Sequence, residues 1–201
     1  MRPDNPIRNF DPRKVAHYEK ENYVAYYQKE WLKLFRVSVA MVREAFALSW
    51  LQAIYAAYLV ARAEMAAAPF PNNDIPRAET YMRRFYQFIK NVHNEDFDPA
   101  QAAKLDVNWW VIHRRLFGNA ENQELVDAVA CLYEHVYGGT SEKLKEAAYQ
   151  RVMGMLYSDR WVNQGKPANS PLLIQEEQAL YQGYKALKEA INGHDPRRTS
   201  T

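Results

Sequence analysis

Glu44 is the acidic residue whose sequence surroundings most suggest chemistry. Its neighbours one helical turn away on either side are all apolar: Ala40, Met41, Ala47 and Leu48. A buried carboxylate without a partner is costly, so such a group is protonated, pairs with a cation or holds a ligand. We expect a structural pair with Arg36, Arg43 or an arginine of another helix to be the commoner outcome, and a ligand site the rarer one.

His113 is the second candidate, because it follows Trp109 and Trp110 near the end of a helical run. An imidazole in that setting could ligate haem or act as a base. Asp106 lies two turns away and cannot orient the ring directly. A packed histidine whose charge suits the helix end is the plainer explanation. Glu44, Trp109, Trp110 and His113 together form the candidate ligand pocket, with a small apolar molecule as its ligand.

The sequence predicts no metal site. The patterns Glu-x-x-His and HExxH, which aim two ligands from one helix face, do not occur. Glu134 and His135 are adjacent, so on a helix they point about 100° apart. The alternative function is a helical-bundle metal- or haem-dependent oxidoreductase that uses Glu44, His113 and Glu134 or His135. No particular cofactor or substrate follows from these residues.

Helix-starting signals and apolar periodicity run through the chain and predict an all-α fold. A capping residue stands just before a proline at four places: Asp11-Pro12, Asp74 with Pro76, Asp98-Pro99 and Ser170-Pro171. We expect one helical-bundle domain of about six or seven helices over residues 11–193. Residues 1–10 form an N-terminal extension in this prediction, and residues 194–201 form a flexible tail.

The first part of the domain is predicted to hold a long N-terminal helix. No glycine or proline occurs between Pro12 and Pro69. Ser49 and Gln52 match a capping box, so the pattern predicts one helix over 12–47 and a second over 50–67, joined by a tight corner. The alternative is an unbroken rod, which would need a partner chain to cover it.

The second of these helices is predicted to be the central, buried one. The stretch from Val37 to Pro69 is apolar nearly all the way round, and a helix of that kind has to be buried. A membrane span is the alternative, but the uncharged part covers only residues 45–61, at the short limit for a span. Cys131, the single cysteine, lies in another apolar run, where a small buried thiol is the ordinary explanation.

Charge and cysteine content narrow the classes of partner and compartment. The 26 basic and 24 acidic residues nearly cancel and are interspersed, which argues against nucleic-acid binding. One cysteine excludes an intramolecular disulfide, and the N-terminal residues lack the apolar run of a signal peptide. The expected location is the cytoplasm, without membrane binding.

Aromatic residues in the first half of the long helix suggest an interface. They are Tyr18, Tyr23, Tyr26, Tyr27 and Trp31. A helix over 12–47 would extend beyond a globule of this size. Its aromatic end would therefore have to pack against another segment or another chain. We expect a second copy to pack there, and the alternative is that the last two helices fold back along it. The sequence thus favours a non-enzymatic protein that forms a homodimer or a partner-binding surface.

Overall fold

The computed structural model describes residues 5–69, 71–118 and 122–193, whose regular secondary structure is all helical, without a strand. A 3-10 turn at Pro6–Arg8 precedes eight α-helices. The helices are α1 (Pro12–Gln28), α2 (Trp31–Ala45), α3 (Trp50–Ala67), α4 (Ile75–His93), α5 (Pro99–Arg115), α6 (Gln123–Tyr137), α7 (Ser141–Asn163) and α8 (Pro171–Asn192). The predicted all-α helical bundle is confirmed. The predicted flexible tail, 194–201, lies outside the described residues, as do residues 1–4 of the extension.

The capping signals in the sequence start the helices as predicted. Asp11, Asp74, Asp98 and Ser170 each accept a hydrogen bond from a backbone N–H of the first turn of the helix that follows. Ser49 and Gln52 form the predicted capping box at the start of α3. These side chains satisfy backbone donors that have no partner inside the helix.

The predicted long helix over 12–47 is wrong, because the chain breaks at Lys29. Lys29 has a left-handed backbone, with φ of 62°. The Glu30 N–H donates to the Ala25 carbonyl at 2.9 Å, the closing bond of a Schellman motif. This bond satisfies a carbonyl at the end of α1 and lets α2 start in a new direction. Two helices, α1 and α2, therefore replace the one long helix, and the described residues form eight α-helices in place of the predicted six or seven.

The chain turns after α2 in the same way, through a residue with a left-handed backbone and a closing backbone hydrogen bond. Ala47 has φ of 47°, and the Leu48 N–H donates to the Arg43 carbonyl at 3.1 Å. No single helix in the described ranges is long and apolar enough to cross a membrane. Taken together, α2 and α3 reach that length and composition, but the chain turns by 113° between them.

The helices form a closed ring around one apolar core. Each helix packs on its neighbours in the chain, and α8 closes the ring by packing on α1. The core contains buried residues from all eight helices. The described part of the N-terminal extension packs on α8, where Lys188 donates to the Phe10 carbonyl at 2.8 Å. Cys131 is exposed on α6, so the predicted buried thiol is wrong, because the core face of α6 is the one that carries Leu125, Val129 and Leu132.

Candidate functional site

Glu44 connects the end of α2 to the start of α1. Its carboxylate accepts a hydrogen bond from the Asp11 backbone N–H at 3.0 Å and lies 3.7 Å from the Lys14 ammonium. Its cation partner is thus a lysine, where an arginine was predicted. Glu44 is only partly buried and also lines a surface cavity of about 430 Å³, together with Phe10 and Leu48. These contacts give the residue a structural role, in which it joins the end of α2 to the start of α1.

Trp109, Trp110 and His113 lie together on α5, away from the partners of Glu44. The His113 and Trp110 rings are 6.5 and 6.1 Å from the Trp109 ring. His113 Nε2 lies 3.1 Å from Asp159 Oδ2, which also accepts from the Gly118 N–H at 3.1 Å. The carboxylate that orients His113 therefore comes from α7.

The residues proposed for an oxidoreductase do not meet. Glu134 is exposed, and His135 Nε2 lies 2.8 Å from the Asp98 carbonyl at the start of α5. Glu44 and His113 have the separate partners given above. Within the described ranges, no three His, Cys, Asp or Glu side chains are grouped so that they could hold a metal ion.

Two buried acids that the sequence interpretation passed over lie where α1, α7 and α8 meet. Ser158 and Asp159 of α7 and Glu176 of α8 are all almost completely buried. Asp159 Oδ1 and Glu176 Oε2 have no hydrogen-bond partner among the described residues. Burial raises the pKa of Glu176 to about 8, although the Ser158 hydroxyl lowers it in part. We call these three residues and Tyr23 the acid junction.

Tyr23 of α1 completes the acid junction. Burial raises the pKa of its hydroxyl well above the usual value, and the Asp159 carboxylate raises it further. A tyrosine that keeps its proton can donate a hydrogen bond. The acid junction therefore carries protons on Glu176 and Tyr23 at neutral pH.

Two glycines bring α7 and α8 close enough to bury these acids. A Cβ added at Gly154 would lie 2.7 Å from Leu180 of α8, and one at Gly183 would lie 3.0 Å from the backbone of Arg151. The two helices therefore approach each other more closely than side chains would allow. One turn beyond Gly154 on α7 this approach holds Ser158 against Glu176.

A groove of about 730 Å³ runs between α1 and the start of α8, and the cations that line it already have partners. Arg13 lies over an aromatic ring of α8, 4.3 Å from its centre. Lys20 lies 2.7 Å from Glu177 and 2.9 Å from Glu21, and Lys33 lies 2.8 Å from Glu21. These ion pairs occupy the cations that an anionic ligand would need. We therefore assign no ligand to the groove.

The five predicted interface residues divide into two groups. Tyr18, Tyr23 and Tyr27 are partly covered by the fold, in which α1 packs on α2 and α8. Tyr26 and Trp31 are exposed, and their rings are 6.5 Å apart at the junction of α1 and α2. Because the chain breaks at Lys29, no long helix protrudes that a second copy would have to cover. In the described structure α8 packs along α1, as the alternative prediction proposed for the last two helices.

Among the described helices, α3 carries the most exposed large apolar side chains. The inner face of α3 packs with small residues, among them Ala53, Ala56 and Ala63, whereas the outer face carries large side chains. The predicted all-round burial of this helix is therefore wrong, because the ring covers only one side of it. We call the outer set the α3 stripe: Trp50, Leu51, Ile54, Tyr55, Tyr58 and Met65.

Comparison with protein families, curated proteins and solved structures finds no match to the chain.

Proposed function

We propose that the chain is a non-enzymatic interaction protein that binds a partner helix through the α3 stripe. The observation behind the proposal is the exposure of large apolar side chains at helical spacing, with Leu51 82% exposed. Contiguous apolar patches of this kind usually mark interaction sites on soluble proteins. Tryptophan, tyrosine and methionine, which make up most of the α3 stripe, are enriched in protein interfaces.

The chemistry of the α3 stripe favours an uncharged, apolar helix as the partner. No charged residue occurs between Trp50 and Ala61. The one arginine of α3, Arg62, donates to the Tyr58 hydroxyl at 3.0 Å and lies over the Tyr81 ring at 5.0 Å. Nucleic acids and anionic membrane surfaces are recognised by clusters of lysine and arginine, which this face lacks.

A cytoplasmic location is part of the proposal. The only cysteine is exposed and unpaired, as is usual in a reducing compartment. A homodimer is one form of this interaction.

Oxidative footprinting inside cells tests the proposal, since it compares exposed side chains in their working environment. Tyr55 and Tyr149 are each 48% exposed, but only Tyr55 belongs to the α3 stripe. We expect hydroxyl radicals to oxidise both residues equally in purified protein at a dilution at which the chain is a single copy. Inside cells, Tyr55 and Tyr58 should be protected several-fold relative to Tyr149.

A matched pair of variants completes the experiment. Leu51→Glu should abolish the protection of Tyr55 in cells, whereas Ile174→Glu, at a position 74% exposed on α8, should leave it unchanged. Circular dichroism checks that both variants fold. Equal oxidation of Tyr55 and Tyr149 in cells would overturn the proposal, because no partner would then cover the α3 stripe.

A further inference from the structure

We propose that the partner helix is α3 of a second copy of the chain, with the two α3 helices antiparallel across a two-fold axis. This inference rests on the proposed function and names its partner. An interface between identical surfaces has to be complementary to itself, and most small oligomers are closed two-fold dimers of this kind.

The size pattern along α3 suits antiparallel pairing. The large side chains are concentrated in its first half, from Trp50 to Tyr58, while Ala61 gives the second half a small exposed residue. Antiparallel pairing about Tyr58 places Tyr55 of one helix on Ala61 of the other and Leu51 on Met65. Parallel pairing would set Trp50 against Trp50 and Ala61 against Ala61, which packs poorly.

The exposed area matches what a stable dimer needs. The six residues of the α3 stripe are between 44% and 82% exposed. With roughly 150 to 250 Å² for each large side chain, this amounts to about 700 Å², and a stable interface buries about 800 Å² on each partner. Rim contacts from neighbouring helices would make up the difference. The α3 stripe is thus large enough to hold two copies together without another protein.

The charges on α3 are also compatible with a two-fold axis. Such an axis sets each central residue beside its own copy, so a charged residue there would face a like charge. Tyr58 at the centre is uncharged, and the two charged residues of α3, Arg62 and Glu64, lie in its second half. In the antiparallel pair, Arg62 of one copy is about 12 Å along the axis from Arg62 of the other. In the antiparallel pair, Glu64 of one copy is about 18 Å along the axis from Glu64 of the other, since each residue advances by 1.5 Å.

Cysteine cross-linking in a Cys131→Ser background tests the register. Tyr58→Cys lies at the two-fold axis and should form a disulfide-linked dimer under mild oxidation. Leu51→Cys alone should not, because its copy would be about 21 Å away along the helix axis and a disulfide needs Cα atoms within about 7 Å. A mixture of Leu51→Cys and Met65→Cys should cross-link, since these positions face each other. Ile174→Cys on α8 is the control and should stay monomeric.

Light scattering on purified protein gives the independent measurement. The wild type should have twice the 23.5 kDa mass of the chain, and a folded Ile54→Glu variant should have the single-chain mass. Cross-linking of Leu51→Cys with itself as readily as Tyr58→Cys would overturn the antiparallel arrangement. A wild-type mass of 23.5 kDa at all concentrations would overturn the dimer. If the protection of Tyr55 in cells persisted in that case, the proposed function would stand with a different partner.

Discussion

Glu176 shows at the scale of one residue how packing changes chemistry. Its carboxyl group is almost completely buried, and burial disfavours the charged form. The Glu19 carboxylate adds to this effect, whereas the Ser158 hydroxyl and the Lys20 ammonium oppose it. Burial dominates, and the pKa rises to about 8. Folding therefore takes up a proton at neutral pH.

The uptake of this proton predicts a pH dependence of stability. Below the unfolded pKa of about 4.5, Glu176 is protonated in both states and costs nothing. As the pH rises from there to about 8, the folded state alone holds the proton. This group then lowers the free energy of unfolding by up to about 1.4 kcal/mol per pH unit. Urea unfolding should find Glu176→Gln equal to wild type near pH 4.5 and more stable than wild type at pH 8.

The adjacent Glu177 provides the control, because its dependence has the opposite sign. Burial raises its pKa, but hydrogen bonds from Lys20 and His17 outweigh this effect and leave the pKa lowered. Its stabilising contribution is present above the unfolded pKa and disappears as the pH falls through the folded one. Glu177→Gln should therefore cost stability at pH 7 and nothing in strong acid. A Glu176→Gln variant that lost stability at pH 8 would contradict the assignment of a protonated Glu176.

The sequence signal that singled out Glu44 applies equally to Glu176. Glu176 is flanked by Leu172, Leu173, Ala179 and Leu180 at helical spacing, as Glu44 is by apolar residues. The structure buries only Glu176, because α7 covers that face of α8 while Glu44 lies at a corner. Apolar neighbours along the helix therefore identify candidates, but the partner helix decides which acid is buried.

At the scale of helices, the residues at which helices begin could be predicted from the sequence, whereas the residues at which helices break could not. Cap residues and prolines act locally, so Asp11, Asp98 and Ser170 could be identified from sequence alone. Lys29 and Ala47 end their helices in the left-handed conformation that glycine usually supplies. An ordinary side chain there gives no sequence signal, because tertiary packing stabilises the break. The pairing of His113 with Asp159 depends in turn on where these helices lie.

The close contact between α7 and α8 predicts an unusual effect of alanine. Gly154→Ala should improve helix propensity by about 1 kcal/mol. The added methyl group would lie 2.7 Å from the buried Leu180, however, and overpacking typically costs about 1 to 3 kcal/mol. Thermal melts should therefore show a net loss of stability, partly recovered by Leu180→Val. Lys185→Ala on the exposed face of α8 should change little, and a stabilised Gly154→Ala would show that the helices separate easily.

At the scale of the whole molecule, Arg151 ties the ring of helices together. From α7 its guanidinium donates to Glu19 of α1 at 2.9 and 3.1 Å. It also lies within 5.2 to 6.0 Å of the centres of the Trp109, Tyr133 and Tyr184 rings, which belong to α5, α6 and α8. Five of the eight helices thus meet at one charged group. Hydrogen-bond geometry at such a point fixes how the helices are arranged.

This arrangement predicts that substitutions of Arg151 and Glu19 have coupled effects on the free energy of unfolding. Arg151→Met leaves a largely buried carboxylate without its cation, and breaking such a pair typically costs about 3 to 5 kcal/mol. In the double variant Glu19→Met, Arg151→Met no charge is stranded, so urea unfolding should show at least half of that loss recovered. The same cycle on Lys33 and Glu21, a more exposed pair 2.8 Å apart, should give a coupling below about 1 kcal/mol. If the losses from Arg151 and Glu19 simply added, the two residues would contribute separately and the ring would be stabilised by its apolar core alone.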